Sequence, residues 1–146
     1  DGIDGSGVAA IVIALDTSAL VRYLTDDDPV LAERVANFVD REEPVGVPVL
    51  VLLEAIHVLR GAPYHRDNPV LADALVELLA HENVRLIGLD AGLASAALRH
   101  VRSRSARHCA DALIAASAAE AGARGLVTND ARFVPDLLPL VQIGGD

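Results

Sequence analysis

Four carboxylates, Asp16, Glu54, Asp111 and Asp130, stand where an apolar or neutral residue would be the ordinary choice. Asp16 stops the unbroken run Ile11-Val12-Ile13-Ala14-Leu15, and Asp130 follows Leu126-Val127-Thr128 by two positions. Glu54 has Leu50, Val51, Leu53, Ala55, His57 and Val58 around it at helical spacing, and Asp111 sits in "HCADALIAA". An acid inside such surroundings is costly unless something neutralises it. If the four converge, each like-charge pair about 5 Å apart costs roughly 3 kcal/mol at an effective dielectric near 20. Such a cluster either protonates or captures a divalent cation, and an all-oxygen ligand set favours Mg²⁺ or Mn²⁺. The hydroxyls of Thr17, Ser18 and Thr128 lie close enough in sequence to orient ligands or bound water. Taken singly, Asp16, Asp111 and Asp130 also read as helix caps or first-turn acids; it is their joint placement that points to a metal.

That placement depends on the elements around them. The β-branched run 11–15 predicts a parallel strand covered on both faces, followed by a short helix from Ser18 to Leu24. Asp28 and Pro29 predict an N-cap and first helical residue, with Leu31, Val35, Phe38 and Val39 on one face of the helix that follows. Val45 to Val47 reads as a minimal strand. Pro48 opens the apolar helix "VLVLLEAIHVLRG", closed by Gly61, and a further helix runs from about Pro69 to Ala80. "NVRLIGL" predicts a strand, Asp90 caps a helix through "AGLASAALRHVRS", and "CADALIAASAAEAG" is a helix of small residues ended by Gly122. "GLVTND" is a strand, with a helical turn near Pro135 and a last strand at Val141 to Ile143. Alternating strands and helices imply an α/β fold with a mainly parallel sheet. In such sheets ligands bind beyond the carboxyl ends of the strands, where following helices present their N-termini. Asp16 and Asp130 both belong to that edge, and Glu54 and Asp111 lie in the first two turns of their helices.

Composition narrows the function classes. The chain has 146 residues, 52% of them hydrophobic, enough for one buried core. Residues 1–7, "DGIDGSG", read as a disordered tail or expression remnant, leaving 8–146 as a single domain. One cysteine, Cys109, fits a small core residue in a reducing cytosol, and no run reaches the roughly 20 residues that span a membrane. A net charge of −9 argues against nucleic acid, yet "RHVRSRSARH" gathers Arg99, Arg102, Arg104 and Arg107 just before Asp111. Those guanidiniums either grip RNA phosphates beside a metal or merely end a helix with cations. With no lysine in the chain, Schiff-base chemistry and a lysine-bearing phosphate loop are excluded. The histidines lack metal-ligand spacing, and "DDD" at 26–28 reads as a capped, solvated loop.

The sequence resembles the PIN-domain ribonucleases, and among them the VapC-type toxins of bacterial toxin–antitoxin pairs. "ALDTSALVRYL" is similar to the family's opening acidic motif, "VLVLLEAIHVLR" to the helix carrying its Glu, "ADALIAASAAEAG" to its Asp-Ala-Leu-Ile-Ala helix and "LVTNDARF" to its closing segment. His57 and Asn129 depart from the pattern, at positions where relatives often carry an aromatic residue and Phe. The resemblance implies a PIN-like three-layer sandwich, its mainly parallel central sheet flanked by helices. It implies Mg²⁺-dependent hydrolysis of RNA, with Asp16, Glu54, Asp111 and Asp130 as the acidic quartet. Asp16 and Asp111 would be the direct metal ligands, and Thr17 and Thr128 supporting hydroxyls. It also implies a homodimer neutralised by a VapB-type antitoxin, and the single cysteine gives the expectation of a cytoplasmic protein. Two other classes remain open: a non-catalytic PIN-like RNA-binding or regulatory module, and another acidic-site metal-dependent phosphohydrolase. Aromatic residues are only 3% of the chain, so base stacking cannot dominate recognition.

Overall fold

The computed structural model describes residues 10–11, 13–102, 108–129 and 138–143, with the side chains of Arg102 and Gln142 excepted. Asp130, Arg104, Arg107, the tail at 1–7 and the turn expected near Pro135 lie outside the described residues. The chain divides into two compact units, the first formed by the described residues of Asp1–His65 and Glu77–Gly88, the second by those of Arg66–Val76 and Leu89–Asp146.

In the first unit, β1 (Ile13–Ala14), β2 (Val45–Pro48) and β3 (Val84–Ile87) form a parallel sheet in the order β1-β2-β3. The register pairs Ile13 with Val45, and Val45 with Val84. Parallel neighbours require crossovers. Between β1 and β2 the chain forms α1 (Thr17–Leu24) and α2 (Pro29–Val39), and after β2 it enters α3 (Val49–Arg60) with no intervening loop. α1 packs on both α2 and α3. Leu20, Val39, Val45, Val47, Leu52, Ala55, Ile56 and Leu59 are buried in this unit. Gly46 is buried in the central strand, where an added Cβ would stand 2.6 Å from Ile87 Cδ1 and 2.9 Å from Ile11 Cγ2. At the amino edge of the sheet, Asn83 Nδ2 donates to the carbonyls of Val39 at 2.8 Å, Arg41 at 2.6 Å and Glu43 at 2.8 Å. That amide closes the turn between α2 and β2 against the start of β3.

In the second unit, α5 (Ala91–Arg102) packs on α6 (Cys109–Glu120), and β4 (Leu126–Thr128) pairs in parallel with β5 (Leu140–Gln142). Ala94, Ala97, Ala115 and Ala116 are buried, and such short side chains let two helices approach closely. α4 (Asn68–Ala80) begins in this unit and ends in the other.

The α/β reading holds, and every described strand pairing is parallel. Asp28 caps α2 as expected, accepting from the Leu31 N–H at 3.2 Å with Pro29 in the first helical position. Asp90 caps α5 through the Leu93 N–H at 2.8 Å. Two expectations need correcting. The described part of β1 is Ile13–Ala14, and the run is not covered on both faces as its apolar sequence suggested: Ile11 is 42% exposed and Ala14 is exposed. The expected apolar face of α2 is buried only at Val39; Phe38 faces outward with the Arg41 guanidinium 4.3 Å from its ring centre.

Candidate active site

The β1–β2 ladder runs up to the candidate site. Leu15 N–H donates to the Gly46 carbonyl at 2.9 Å, so Asp16 is the first residue beyond the paired strand. Asp16 is extended, with φ −89° and ψ −179°, and its carbonyl already accepts the Leu20 N–H at 3.0 Å as α1 starts. Its Oδ1 accepts the Ala19 N–H and the Ser18 hydroxyl, each at 2.9 Å. It is therefore the N-cap of α1. Those donors, the Ala19 amide foremost and the Ser18 hydroxyl next, hold the carboxyl below the usual range, so it is ionised at neutral pH. Oδ2 carries no hydrogen bond among the described residues.

Thr17, the next residue, donates its hydroxyl to Glu54 Oε1. Two acids 38 positions apart in sequence, Asp16 and Glu54, are thus gathered into one neighbourhood by a single intervening threonine. Glu54 is exposed, which overturns the expectation of an acid among buried apolar neighbours. α3 buries the stripe Leu52, Ala55, Ile56 and Leu59 and turns Leu50, 73% exposed, and Val58, 39% exposed, to the same side as Glu54. The helix holds more apolar residues than its buried stripe uses, so apolar sequence neighbours did not make Glu54 an interior group. A cavity of about 360 Å³ opens beside the pair, lined by Thr17, Ser18, Arg22, Glu54 and Tyr64 with Val21 and Val58.

In the second unit, Asp111 is the acid in the first turn of α6 and is half-buried. The helix N-cap, His108, makes no side-chain cap bond. Asn68 Oδ1 accepts the Cys109 N–H at 3.2 Å instead, and Asn68 Nδ2 lies 3.1 Å from His108 Nδ1. Cys109 is fully buried, as expected of a small core residue. Thr128 ends β4, its carbonyl accepting the Ile143 N–H at 3.1 Å; Asp130, two positions further in the sequence, is outside the described residues. Arg99 is exposed on α5, and Arg102 is that helix's last residue.

Among the described residues, no group of three or more His, Cys, Asp or Glu side chains is placed to hold a metal ion. The donors present nonetheless suit a hard divalent cation: Asp16 is exposed, ionised and has an uncommitted oxygen, and Glu54 is an exposed carboxylate beside it.

Sequence reasoning missed the remaining wall of the cavity. Arg22 shares a face of α1 with Ser18, four residues earlier, a spacing legible in the sequence. Tyr64 meets Asp27 from 37 positions away, and nothing local marks it.

No described helix is long and apolar enough to cross a membrane. No curated protein matches the chain. The PIN domain family model matches residues 13–134, a span that takes in Asp16, Glu54, Asp111 and Asp130 together. PIN domains are typically divalent-metal-dependent nucleases that act on RNA. With six helices and parallel strands among the described residues and an acid beyond the first strand, the chain belongs to the PIN-domain family.

Proposed function

We propose that this chain is a Mg²⁺-dependent endoribonuclease, with Mn²⁺ able to substitute, and the toxin of a type II toxin–antitoxin pair. The observation that carries the reading is Asp16: a carboxylate at a parallel strand's carboxyl end, ionised, holding one oxygen on a helix cap and leaving the other uncommitted beside Glu54. Asp16 and Asp111 are the direct metal ligands in this reading, and Glu54 and Asp130 complete the acidic set. A metal bound there supplies polarisation of the phosphoryl group and a water of lowered pKa.

The chain's own residues do the positioning. The Ala19 amide and Ser18 hydroxyl fix the Asp16 carboxylate in one orientation. The Thr17 hydroxyl fixes Glu54, and Thr128, at the end of β4, is the second supporting hydroxyl. Arg99, Arg102, Arg104 and Arg107 bind RNA phosphates, which reconciles a net charge of −9 with a polyanionic substrate. The toxin assignment, the homodimer and the VapB-type antitoxin rest on the four motifs in order, and the cytoplasmic location on the single cysteine.

The test is incubation with structured RNA in Mg²⁺ or EDTA. Cleavage in Mg²⁺, abolished by EDTA and by Asp16→Asn or Asp111→Asn, is the expected result. Undiminished cleavage in either variant removes that residue from the mechanism, and cleavage indifferent to EDTA removes the metal. Growth arrest on induced expression, relieved by Asp16→Asn, tests the toxin role.

A further inference from the structure

The cavity beside Thr17 and Glu54 has a wall that the acidic chemistry leaves unused. Arg22, on α1, and Tyr64, in the turn after α3, both line it. They are joined through Asp27. Its Oδ2 accepts the Tyr64 hydroxyl at 2.7 Å and Arg22 Nη1 at 3.2 Å, and its Oδ1 lies 2.7 Å from Thr25 Oγ1. The hydroxyls of Thr25 and Tyr64 are the leading reasons that Asp27 is held below the usual carboxylate range. Asp27 is therefore satisfied without Arg22 alone, and the aspartate ties two separate loops into one wall.

A guanidinium has five N–H donors in a fixed plane. Among the described residues Arg22 spends Nη1 on Asp27 and engages no other partner, with its side chain 38% exposed. The cavity is thus lined by carboxylate and hydroxyl oxygens and also by a cation that shares Asp27 Oδ2 with the hydroxyl of Tyr64, one of only four Tyr and Phe residues in the chain. An anion with a planar, partly apolar attachment suits the Arg22 and Tyr64 wall. The cavity volume of about 360 Å³ is within the range of small-ligand clefts.

We propose that this cavity is a nucleotide subsite, in which Arg22 binds an RNA phosphate flanking the scissile one and Tyr64 lies against the attached nucleoside. The proposal rests on the ribonuclease reading above. Asp27 is a positioning residue: it holds both side chains in their binding arrangement before RNA arrives, which lowers the ordering cost of association. An ordinary surface ion pair between Arg22 and Asp27 would leave RNA affinity untouched.

The probe is a fluorescein-labelled, randomised single-stranded RNA 12-mer, titrated by anisotropy at several salt concentrations with Ca²⁺ replacing Mg²⁺. Cleavage in Mg²⁺ is assayed in parallel. Arg22→Gln is expected to weaken binding about tenfold and to flatten the log affinity against log salt slope by about 0.7, one single-strand phosphate contact. Arg22→Lys keeps the slope. Tyr64→Ala weakens binding several-fold, and Tyr64→Phe, which retains the ring, less. On the wild-type protein, RNA should slow phenylglyoxal modification of Arg22, read by mass spectrometry, so the proposal is testable even if a variant does not fold. An unchanged slope in Arg22→Gln, or equal modification with and without RNA, overturns the subsite while a cleaving wild type leaves the nuclease standing. A wild type that neither binds nor cleaves RNA overturns both.

Discussion

Replacing Asn83 tests whether the sheet that carries Asp16 and Glu54 is fixed from its amino edge. Asn83 is 9% exposed, and its amide nitrogen serves three carbonyls, those of Val39, Arg41 and Glu43. Its own backbone accepts the Val45 N–H at 2.8 Å, so the residue bonds both ends of the turn that delivers the chain into β2. In Asn83→Ala the side-chain amide disappears and the Val39 carbonyl, within the buried contact, loses its donor. A net hydrogen bond is worth about 1 kcal/mol, and leaving a buried acceptor unsatisfied costs about 1–3 kcal/mol. The Arg41 and Glu43 residues are exposed or near the surface, so water replaces part of the loss there. The expected destabilisation is about 2–3 kcal/mol.

Asn83→Asp sharpens the argument, because it conserves shape and reverses the polarity of one atom. An ionised carboxylate would face three carbonyl oxygens at the distances now spanned by a donor. It should therefore be at least as destabilising as Asn83→Ala at pH 7, and less so once acid protonates it. The assay is urea unfolding at 25 °C, with the midpoint falling and the slope m unchanged if only native-state stability moves. Asn83→Asp matching the wild type at pH 7 would refute the donor assignment. Asn83→Ala within about 0.5 kcal/mol of wild type would show that the turn holds without its clamp.

Asp16→Asn should leave the thermal midpoint close to wild type, since asparagine caps as well as aspartate, while cleavage falls below detection; Asp16→Ala should lose both. Equal midpoints in the two variants would show that the cap contributes nothing. For Asp27, whose folded pKa is depressed below the ordinary 3.8, the linked stability is present above that value and lost as pH falls through the lower folded value. The stability gap between wild type and Asp27→Asn should thus close in acid below about pH 4; a gap constant from pH 7 to pH 2 would show that the ionised carboxylate is not what holds Tyr64.

The sequence yielded its helices well because their ends carry short-range signals. Asp28-Pro29, Asp90 and Gly61 act through hydrogen bonds or backbone preferences that span a few residues, and each stands at the boundary it marked. Strand cover and side-chain burial depend on partners far away in the chain. The run 11–15 looked like a strand covered on both faces, but Ile11 and Ala14 are exposed, and nothing within five residues can report that. Glu54 shows the same limit in a helix. Its neighbours at helical spacing are apolar, yet burial follows the stripe that meets the rest of the unit, and that stripe runs through Leu52, Ala55, Ile56 and Leu59. The burial offered as the reason to single out Glu54 is not what the fold provides. Tyr64 was illegible for a related reason, since the partner that gives it a place is 37 residues earlier.

Asp16 shows why its capping role and the ligand role proposed for it need not compete. A cap needs one carboxylate oxygen, directed back at the first turn's amides, and Oδ1 fills it. The geometry that satisfies that oxygen also fixes the carboxylate plane and so the direction of Oδ2. Donors on Oδ1 withdraw charge and keep the group ionised, which a metal ligand requires. A helix starting immediately after a parallel strand thus orients an acid at the sheet's carboxyl edge by ordinary capping chemistry. Thr17, as the first residue of that helix, is then placed to hold Glu54 alongside. The cap supplies the rigidity, and in the proposed mechanism the uncommitted oxygen is the one that meets the cation. A serine or threonine at position 16 could satisfy the helix equally well, but would leave no second anionic oxygen for a cation.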